Sequence, residues 1–124
     1  YELAASDDAV RQKIEDFDNL PTSLNVRNGT IKWGTGEIVF HKHCAEDLHT
    51  KIANVDYVAT AECPTFKRTL DRALDSATGE FLQQLFGYIA SGEPTEQVVV
   101  FMHGVGANGK STLINELQHL LGSY

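Results

Sequence analysis

Near the carboxyl end of the chain, glycines, a lysine and a serine have the spacing of a phosphate-binding loop. The pattern G-x-x-x-x-G-K-S is matched at every fixed position by Gly104-Val105-Gly106-Ala107-Asn108-Gly109-Lys110-Ser111. Glycines let the backbone turn tightly with its N–H groups pointing inward, which forms a concave site for an anion. A helix that begins near Ser111 would add the positive end of its dipole. The loop therefore predicts binding of a nucleotide phosphate.

Two side chains of this loop carry the predicted chemistry, with ATP and Mg²⁺ as the ligands. Lys110 is the catalytic candidate, because its ammonium can reach the β- and γ-phosphates. The Ser111 hydroxyl can coordinate the Mg²⁺ that bridges the same two phosphates. Thr112 lies one position further, on the helix face. The residues predicted to bind the nucleotide are Gly104, Val105, Gly106, Ala107, Asn108, Gly109, Lys110, Ser111 and Thr112.

The elements around the loop predict the start of an α/β P-loop ATPase domain. The apolar run 98–102 predicts a buried strand of the parallel kind before the loop. A P-loop enzyme also needs a second strand that ends in an acidic residue, and a parallel strand needs a neighbour. The sequence up to Tyr124 contains neither, and it begins with Tyr1 rather than a methionine. We therefore expect a piece of a longer protein whose ATPase activity is negligible in isolation.

The first part of the chain predicts helices that pack with a small antiparallel meander. A helix capped by Ser6 is expected to run to about Phe17, with Pro21 after it. Apolar and polar residues alternate on both sides of Asn28-Gly29, which predicts a hairpin with its turn at that dipeptide. The glycines at 34–36 predict a second turn and a third strand over 38–40.

Three further helical segments are predicted downstream. A short helix is possible over Ala45 to Lys51, and a longer one begins near Pro64, which suits a first helical position. A helix from Glu80 to Ala90 carries so wide an apolar stripe that we expect it to be almost wholly buried. Gly87 within it predicts close packing or a bend. The fold class is α+β, followed by the incomplete α/β unit.

Composition excludes several classes of protein. The formal net charge of −7 argues against an independent nucleic-acid binder, which needs a basic face, so any DNA contact is local or shared. Cys44 and Cys63 have no close pairing pattern and are predicted to be free thiols in a reducing cytosol. No apolar run approaches the roughly 20 residues that span a membrane, so we predict the cytoplasm and no membrane partner.

Three other clusters have both a chemical and a structural interpretation. Histidines at 41, 43 and 49 with Cys44 could bind zinc, but they lack paired cysteines, and a solvated connector is favoured. Basic residues at 67, 68 and 72 could contact DNA, but acidic residues are interleaved, which favours a solvated helix face. Trp33 could stack on a base, although its alternation with Ile31 favours the core. Tyr88 is interpreted as structural.

The order of several short motifs resembles the primase-helicases of phages and plasmids, which are related to the poxvirus-type primase-helicase and belong to the superfamily-three helicases. The chain is similar to this family from Leu24 to its end, and only the first helix lacks a counterpart. The motifs that carry the resemblance are Leu24-Asn25-Val26-Arg27-Asn28-Gly29, Thr35-Gly36-Glu37, Asp56-Tyr57, Ala61-Glu62-Cys63-Pro64, Leu82-Gln83-Gln84-Leu85-Phe86-Gly87-Tyr88, Ser91-Gly92 and Gly106-Ala107-Asn108-Gly109-Lys110-Ser111-Thr112.

The resemblance implies a domain division and a function. Residues 1–93 would be the pre-helicase domain, and residues 94–124 the truncated start of the helicase motor. The family implies a replicative, ring-shaped and hexameric motor that hydrolyses ATP between subunits and moves on single-stranded DNA, often with a primase domain upstream. By resemblance, Gly104, Asn108, Gly109, Lys110 and Ser111 carry the family's phosphate contacts.

Two other functions stay open on the sequence alone. Most of the chain could be a non-catalytic module that oligomerises the motor subunits or positions DNA, with the loop at its boundary. An unrelated P-loop NTPase, such as a nucleotide kinase or transport ATPase, shares the same loop. The motifs upstream of the loop count against this last interpretation.

Overall fold

The computed structural model describes residues 11–34, 36–92, 95–106 and 108–124. A three-stranded antiparallel sheet precedes three α-helices, which confirms the α+β class for this part of the chain. The strands, in the sheet order β1-β2-β3, are β1 (Ser23–Val26), β2 (Gly29–Lys32) and β3 (Val39–His41). The helices are α1 (Pro64–Ala73), α2 (Ser76–Ser91) and α3 (Lys110–Leu121). Within these described ranges, every helix is too short or too polar to cross a bilayer.

The hairpin forms as predicted, but its turn lies one residue earlier. Val26 pairs with Gly29, so the turn consists of Arg27 and Asn28 rather than Asn28-Gly29. The Asn28 side chain explains this position, because its amide donates to the Tyr57 carbonyl at 2.9 Å and its oxygen accepts from the Tyr57 N–H at 2.8 Å. Asn28 therefore ties the turn to a segment 29 residues away.

Gly29 is needed for the approach of β3 rather than for the turn. A Cβ at this position would lie 2.7 Å from the ring of Phe40 and would also collide with the His41 carbonyl. Both contacts come from β3, which pairs with β2 through Ile31 and Phe40. A side chain at Gly29 would therefore separate these two strands.

The core lies on one side of the sheet and includes a segment that follows β3. Leu24, Val26 and Ala53 are buried, and four partly buried side chains pack against them, namely Ile31, Trp33, Val55 and Tyr57. The segment around Ala53 runs parallel to β1. Ala53 forms a parallel bridge with Val26, and its N–H donates to the Asn25 carbonyl at 2.8 Å. The packing of Trp33 against this cluster confirms the core interpretation over base stacking.

The helices begin largely where the sequence predicts, but their burial differs. α1 begins at Pro64, and α2 is capped by Asp75, whose carboxylate accepts from the Thr78 N–H at 2.9 Å. The expectation that α2 is almost wholly buried is wrong, because within α2 only Leu82 is buried and Phe81 is 52 % exposed. A Cβ on Gly87 would meet no atom within 4 Å, so close packing is not the reason for this glycine.

In the described residues, two segments predicted as helical each contain a single 3-10 turn. Ser6 lies outside the described residues, and the described end of the first predicted helix contains a 3-10 helix over Ile14–Asp16. Ile14 is exposed, so no burial stabilises a longer helix there. The segment predicted over 45–51 forms a 3-10 helix over Ala45–Asp47, which ends where Leu48 adopts a left-handed conformation with φ of 50°.

The strand predicted over 98–102 is absent from the described structure. Residues 97–103 have no regular secondary structure, and Val98, Val99 and Phe101 are strongly exposed. A parallel strand is stable only beside another strand, and among the described residues none pairs with this segment. The P-loop unit therefore lacks its strand here.

Candidate nucleotide-binding loop

The helical side of the loop has the predicted form. α3 begins at Lys110 after Gly109, which adopts φ of 84°, a left-handed conformation that favours glycine. The Leu113 N–H donates to the Gly109 carbonyl at 3.0 Å and closes the first turn. The first N–H groups of a helix have no partner within it, so they remain available to an anion.

Lys110 folds back over the loop and links its two ends. Its ammonium donates to the carbonyls of Gly104 at 3.0 Å and Val105 at 3.1 Å, and to Oδ1 of Asn108 at 2.5 Å. The loop is thereby curled around a positive charge whose present ligands are neutral oxygens. Phosphate oxygens carry negative charge and form stronger hydrogen bonds to an ammonium, so they could replace these ligands.

Gly104 is constrained by the same cluster. A Cβ built on it would collide with the Asn108 amide and would lie 3.5 Å from the Lys110 ammonium. A side chain at Gly104 would therefore push Asn108 away from Lys110. The glycine allows the first and last parts of the loop to meet.

The structure brings together part of the predicted nucleotide site. Gly104, Val105 and Asn108 contact Lys110, whereas Ser111 and Thr112 lie exposed on the first turn of α3. Ala107 lies outside the described residues. Gly106 and Gly109 are exposed, so the loop faces solvent. The Mg²⁺ role of Ser111 and the phosphate role of Lys110 stay predictions.

Tyr88 anchors the chain upstream of the loop, a role that sequence reasoning missed. Its hydroxyl accepts from the Glu96 N–H at 2.9 Å and lies 3.3 Å from the Glu96 carbonyl. Residues 98–101 then border a cavity of about 530 Å³ against Phe81 and Leu85 of α2. A tyrosine on an apolar helix face signals a hydrogen bond, but the sequence gives no indication of its partner.

The histidine and cysteine cluster diverges instead of converging on a metal. The His43 Nε2 donates to the Val26 carbonyl at 2.8 Å, whereas the His41 Nδ1 donates to the Lys42 carbonyl at 2.8 Å. Among the residues with described positions, no group of three or more His, Cys, Asp or Glu side chains could hold a metal ion. Cys44 and Cys63 are free thiols, as predicted.

A partly buried ion pair includes one histidine of this cluster. Asp47 accepts a hydrogen bond from the Lys32 ammonium at 2.6 Å, and its second oxygen lies 3.5 Å from the His41 Nε2. Burial by itself would raise the pKa of Asp47, but the hydrogen bond and charge of Lys32, with His41 and Thr30, outweigh it and lower the pKa. The pair fastens β2 and β3 to the segment after β3.

Ser23, His49 and Asp18 resemble a nucleophilic triad in residue type but not in geometry. The Ser23 hydroxyl donates to the Leu20 carbonyl at 2.9 Å, so it accepts from the His49 Nε2, 3.2 Å away. The His49 Nδ1 lies 4.0 Å from Asp18, beyond hydrogen-bond range. Burial lowers the pKa of His49, which favours the neutral ring. Since Ser23 is also buried, the group is structural.

The basic residues of α1 form an exposed face. Lys67, Arg68 and Arg72 are exposed, as the solvated-face interpretation requires. Lys67 and Asp71 border a cavity of about 730 Å³ between α1 and α2, which is otherwise lined largely by apolar side chains such as Phe66. Opposite charges thus alternate on this face, and no uniformly basic surface is built there.

Comparison with known proteins identifies one family. The family model described as D5 N terminal like matches residues 1–75, which is more than half of the chain. Neither a curated protein nor a solved structure matches the chain significantly. The match begins at residue 1, so it includes the amino-terminal segment for which the resemblance offered no counterpart. It ends before α2, and the loop therefore lies outside it.

Proposed function

Because the chain belongs to the D5 N-terminal-like family, the pre-helicase domain of phage and viral primase-helicases, we propose that it joins this domain to the ATP-binding loop of a replicative DNA helicase. The pre-helicase part includes the sheet and α1. The motor part begins near residue 94 and contains the loop and α3. The observation that supports nucleotide binding is that Gly104, Val105 and Asn108 surround the Lys110 ammonium at a helix amino terminus.

In this proposal Lys110 exchanges its carbonyl partners for phosphate oxygens of ATP. The first-turn amides of α3 add hydrogen bonds to the same phosphates, and the helix dipole favours their charge. Ser111 lies on this first turn, where its hydroxyl can hold Mg²⁺. Bound Mg²⁺ would neutralise charge that develops on the phosphates during hydrolysis.

The remaining steps need residues beyond those of the loop. An acidic residue on a second strand and an arginine from a neighbouring subunit supply hydrolysis in P-loop motors, and the hexameric ring supplies that neighbour. With a net charge of −7, this chain contributes little to the attraction of single-stranded DNA. Contact with DNA is therefore assigned to the assembled ring.

Replacing Lys110 with alanine in the full-length protein tests this function. Steady-state ATP hydrolysis is expected to fall at least about a hundredfold, because a charge that stabilises the transition state is removed. Lys42→Ala, at an exposed lysine far along the chain from the loop, is the matched control and should hydrolyse ATP normally. Unchanged turnover in Lys110→Ala would contradict the assignment. The purified 124-residue chain should release no phosphate.

A second function, in which the chain is a non-catalytic oligomerisation module, is favoured by its exposed apolar side chains. Phe81 of α2 and the segment 98–101 present large apolar groups to solvent. Sedimentation of the purified chain separates the two proposals. A concentration-dependent oligomer would support the module, whereas a monomer would leave subunit contacts to the motor.

A further inference from the structure

The end of α3 is docked on the segment that borders β1. The Asn54 N–H donates to the Leu120 carbonyl at 2.8 Å. Ser123 holds both peptide groups of Ile52, since its hydroxyl accepts from the Ile52 N–H at 2.9 Å and donates to the Ile52 carbonyl at 3.1 Å. The Tyr124 hydroxyl accepts from the backbone N–H of Asn25 at 2.9 Å. We name these contacts of residues 120–124 the helix dock.

Gly122 makes the helix dock possible. It ends α3 with φ of 65°, and a Cβ built on it would lie 2.9 Å from the Ile52 carbonyl and 3.2 Å from the Asn54 backbone nitrogen. Both of these neighbours are backbone atoms, which cannot rotate away. Any side chain at this position would therefore lift the end of α3 from the segment.

The segment under the helix dock belongs to the core of the sheet. Ala53, between Ile52 and Asn54, is fully buried and bonds to β1 beside Val26. α3 has 12 residues, so its two ends are about 18 Å apart. One rigid helix thus carries the phosphate loop at its start and rests on the family-matched sheet at its end.

We propose that the helix dock positions the phosphate loop and couples nucleotide binding to the sheet of the D5 N-terminal-like domain. This inference rests on the proposed nucleotide site. A triphosphate that draws Lys110 away from the Gly104 and Val105 carbonyls shifts the start of α3, and the helix, which is held at its end by the dock, transmits that shift. We expect bound nucleotide to tighten the dock. Because coupling between sites is reciprocal, loosening the dock then weakens nucleotide binding.

Amide hydrogen exchange in the full-length protein, with and without Mg-ATP, measures this coupling. The reporting amides are those of Asn25, Ile52 and Asn54, which donate across the dock. Mg-ATP is expected to slow their exchange by about fivefold or more. The affinity for Mg-ATP is measured separately by titration, so that the nucleotide site and its coupling are tested independently.

Two glycines provide a matched pair of variants. Gly122 and Gly92 each end a helix with a positive φ, of 65° and 67°, but a Cβ on Gly92 meets no atom within 4 Å. Gly122→Ala should abolish the exchange response and weaken Mg-ATP binding at least about fivefold, with KM rising more than kcat falls. Gly92→Ala also places a side chain at a positive φ, but away from the dock, and should leave both unchanged. Ser123→Ala introduces no backbone strain and removes the two hydrogen bonds to Ile52. It should reproduce the Gly122→Ala result in weaker form, and it provides the test if Gly122→Ala does not fold.

Three outcomes would overturn the inference. If Mg-ATP binds but the three amides do not respond, the coupling is wrong and the nucleotide site stands. If Gly92→Ala and Gly122→Ala weaken binding equally, the effect is backbone strain and not docking. If Mg-ATP does not bind to the wild-type protein, the proposed function and the coupling are both wrong.

Discussion

Strand β1 and the segment before the phosphate loop both contain valine, yet β1 lies in the core and the segment is exposed. Val26 of β1 is 1 % exposed, whereas Val99 is 79 % exposed. β1 has β2 on one edge and the Ala53 segment on the other, while among the described residues no strand pairs with Val99. Whether an apolar segment forms a buried strand therefore depends on the strands available to pair with it, and not on its residue types alone.

The comparison also shows how the chain positions parts that lack regular structure. Asn28, Tyr88 and Ser123 each use one side chain to contact both peptide groups of a distant residue, namely Tyr57, Glu96 and Ile52. Such contacts substitute for strand pairing, because they satisfy backbone groups one residue at a time. They fix the position of a segment without giving it a ladder of hydrogen bonds.

Replacing Val26 and Val99 with alanine is expected to give the largest difference in the free energy of unfolding. Val26→Ala should lower the free energy of unfolding of the chain by about 2 kcal/mol, because it removes buried methyl groups and leaves a cavity. Val99→Ala should change it by less than about 0.5 kcal/mol, as surface substitutions do. Urea titration measures both. An equal loss in the two variants would show that Val99 is packed and would remove the contrast.

Alanine at Gly29 tests the close approach of β3 to β2. The added Cβ would meet the Phe40 ring and the His41 carbonyl, so the variant should lose about 1–3 kcal/mol of unfolding free energy. Gly87→Ala is the control, because its Cβ meets nothing and alanine favours a helix by up to about 1 kcal/mol. Thermal unfolding ranks the two variants. A Gly29→Ala protein as stable as the wild type would show that β3 is free to move away.

The ion pair of Asp47 with Lys32 is expected to have a smaller effect on stability, which changes only at acid pH. Because the pKa of Asp47 is lowered on folding, the carboxylate contributes stability that is fully present above its ordinary value of 3.8. That contribution is lost as the pH falls through the lowered, folded-state pKa. The stability difference between wild type and Asp47→Asn should therefore shrink in this range, as measured by urea titration at each pH. Asp71→Asn, at an exposed carboxylate, controls for the loss of one charge. A constant difference down to the lowest pH would contradict the role of the pair with Lys32.

Local signals predicted much of the fold. Alternation placed the hairpin and meander, Pro64 placed the start of α1, and the motif placed the start of α3 after Gly109. The turn was misplaced by one residue, because the Asn28 contact with Tyr57 depends on a segment that local rules do not include.

What the sequence could not predict depended on distant partners. The apolar stripe of α2 indicated burial correctly only for Leu82, since the surfaces needed to cover Phe81 are not supplied by the described residues. For the loop, the motif predicted nucleotide-binding residues, of which Gly104, Val105 and Asn108 contact Lys110, and their role in binding stays a prediction. It gave no sign that Gly122 and Ser123 would fix the far end of the same helix.

The most direct test of the central claim is an equilibrium titration of the full-length protein with a fluorescent ATP analogue, with and without Mg²⁺. The loop of residues 104–111 should give saturable binding that strengthens with Mg²⁺ and weakens at least about tenfold, or about 1.4 kcal/mol, in Lys110→Ala. Equal affinity in the wild-type and Lys110→Ala proteins, or no saturable binding in either, would contradict the assignment of this loop to a nucleotide phosphate.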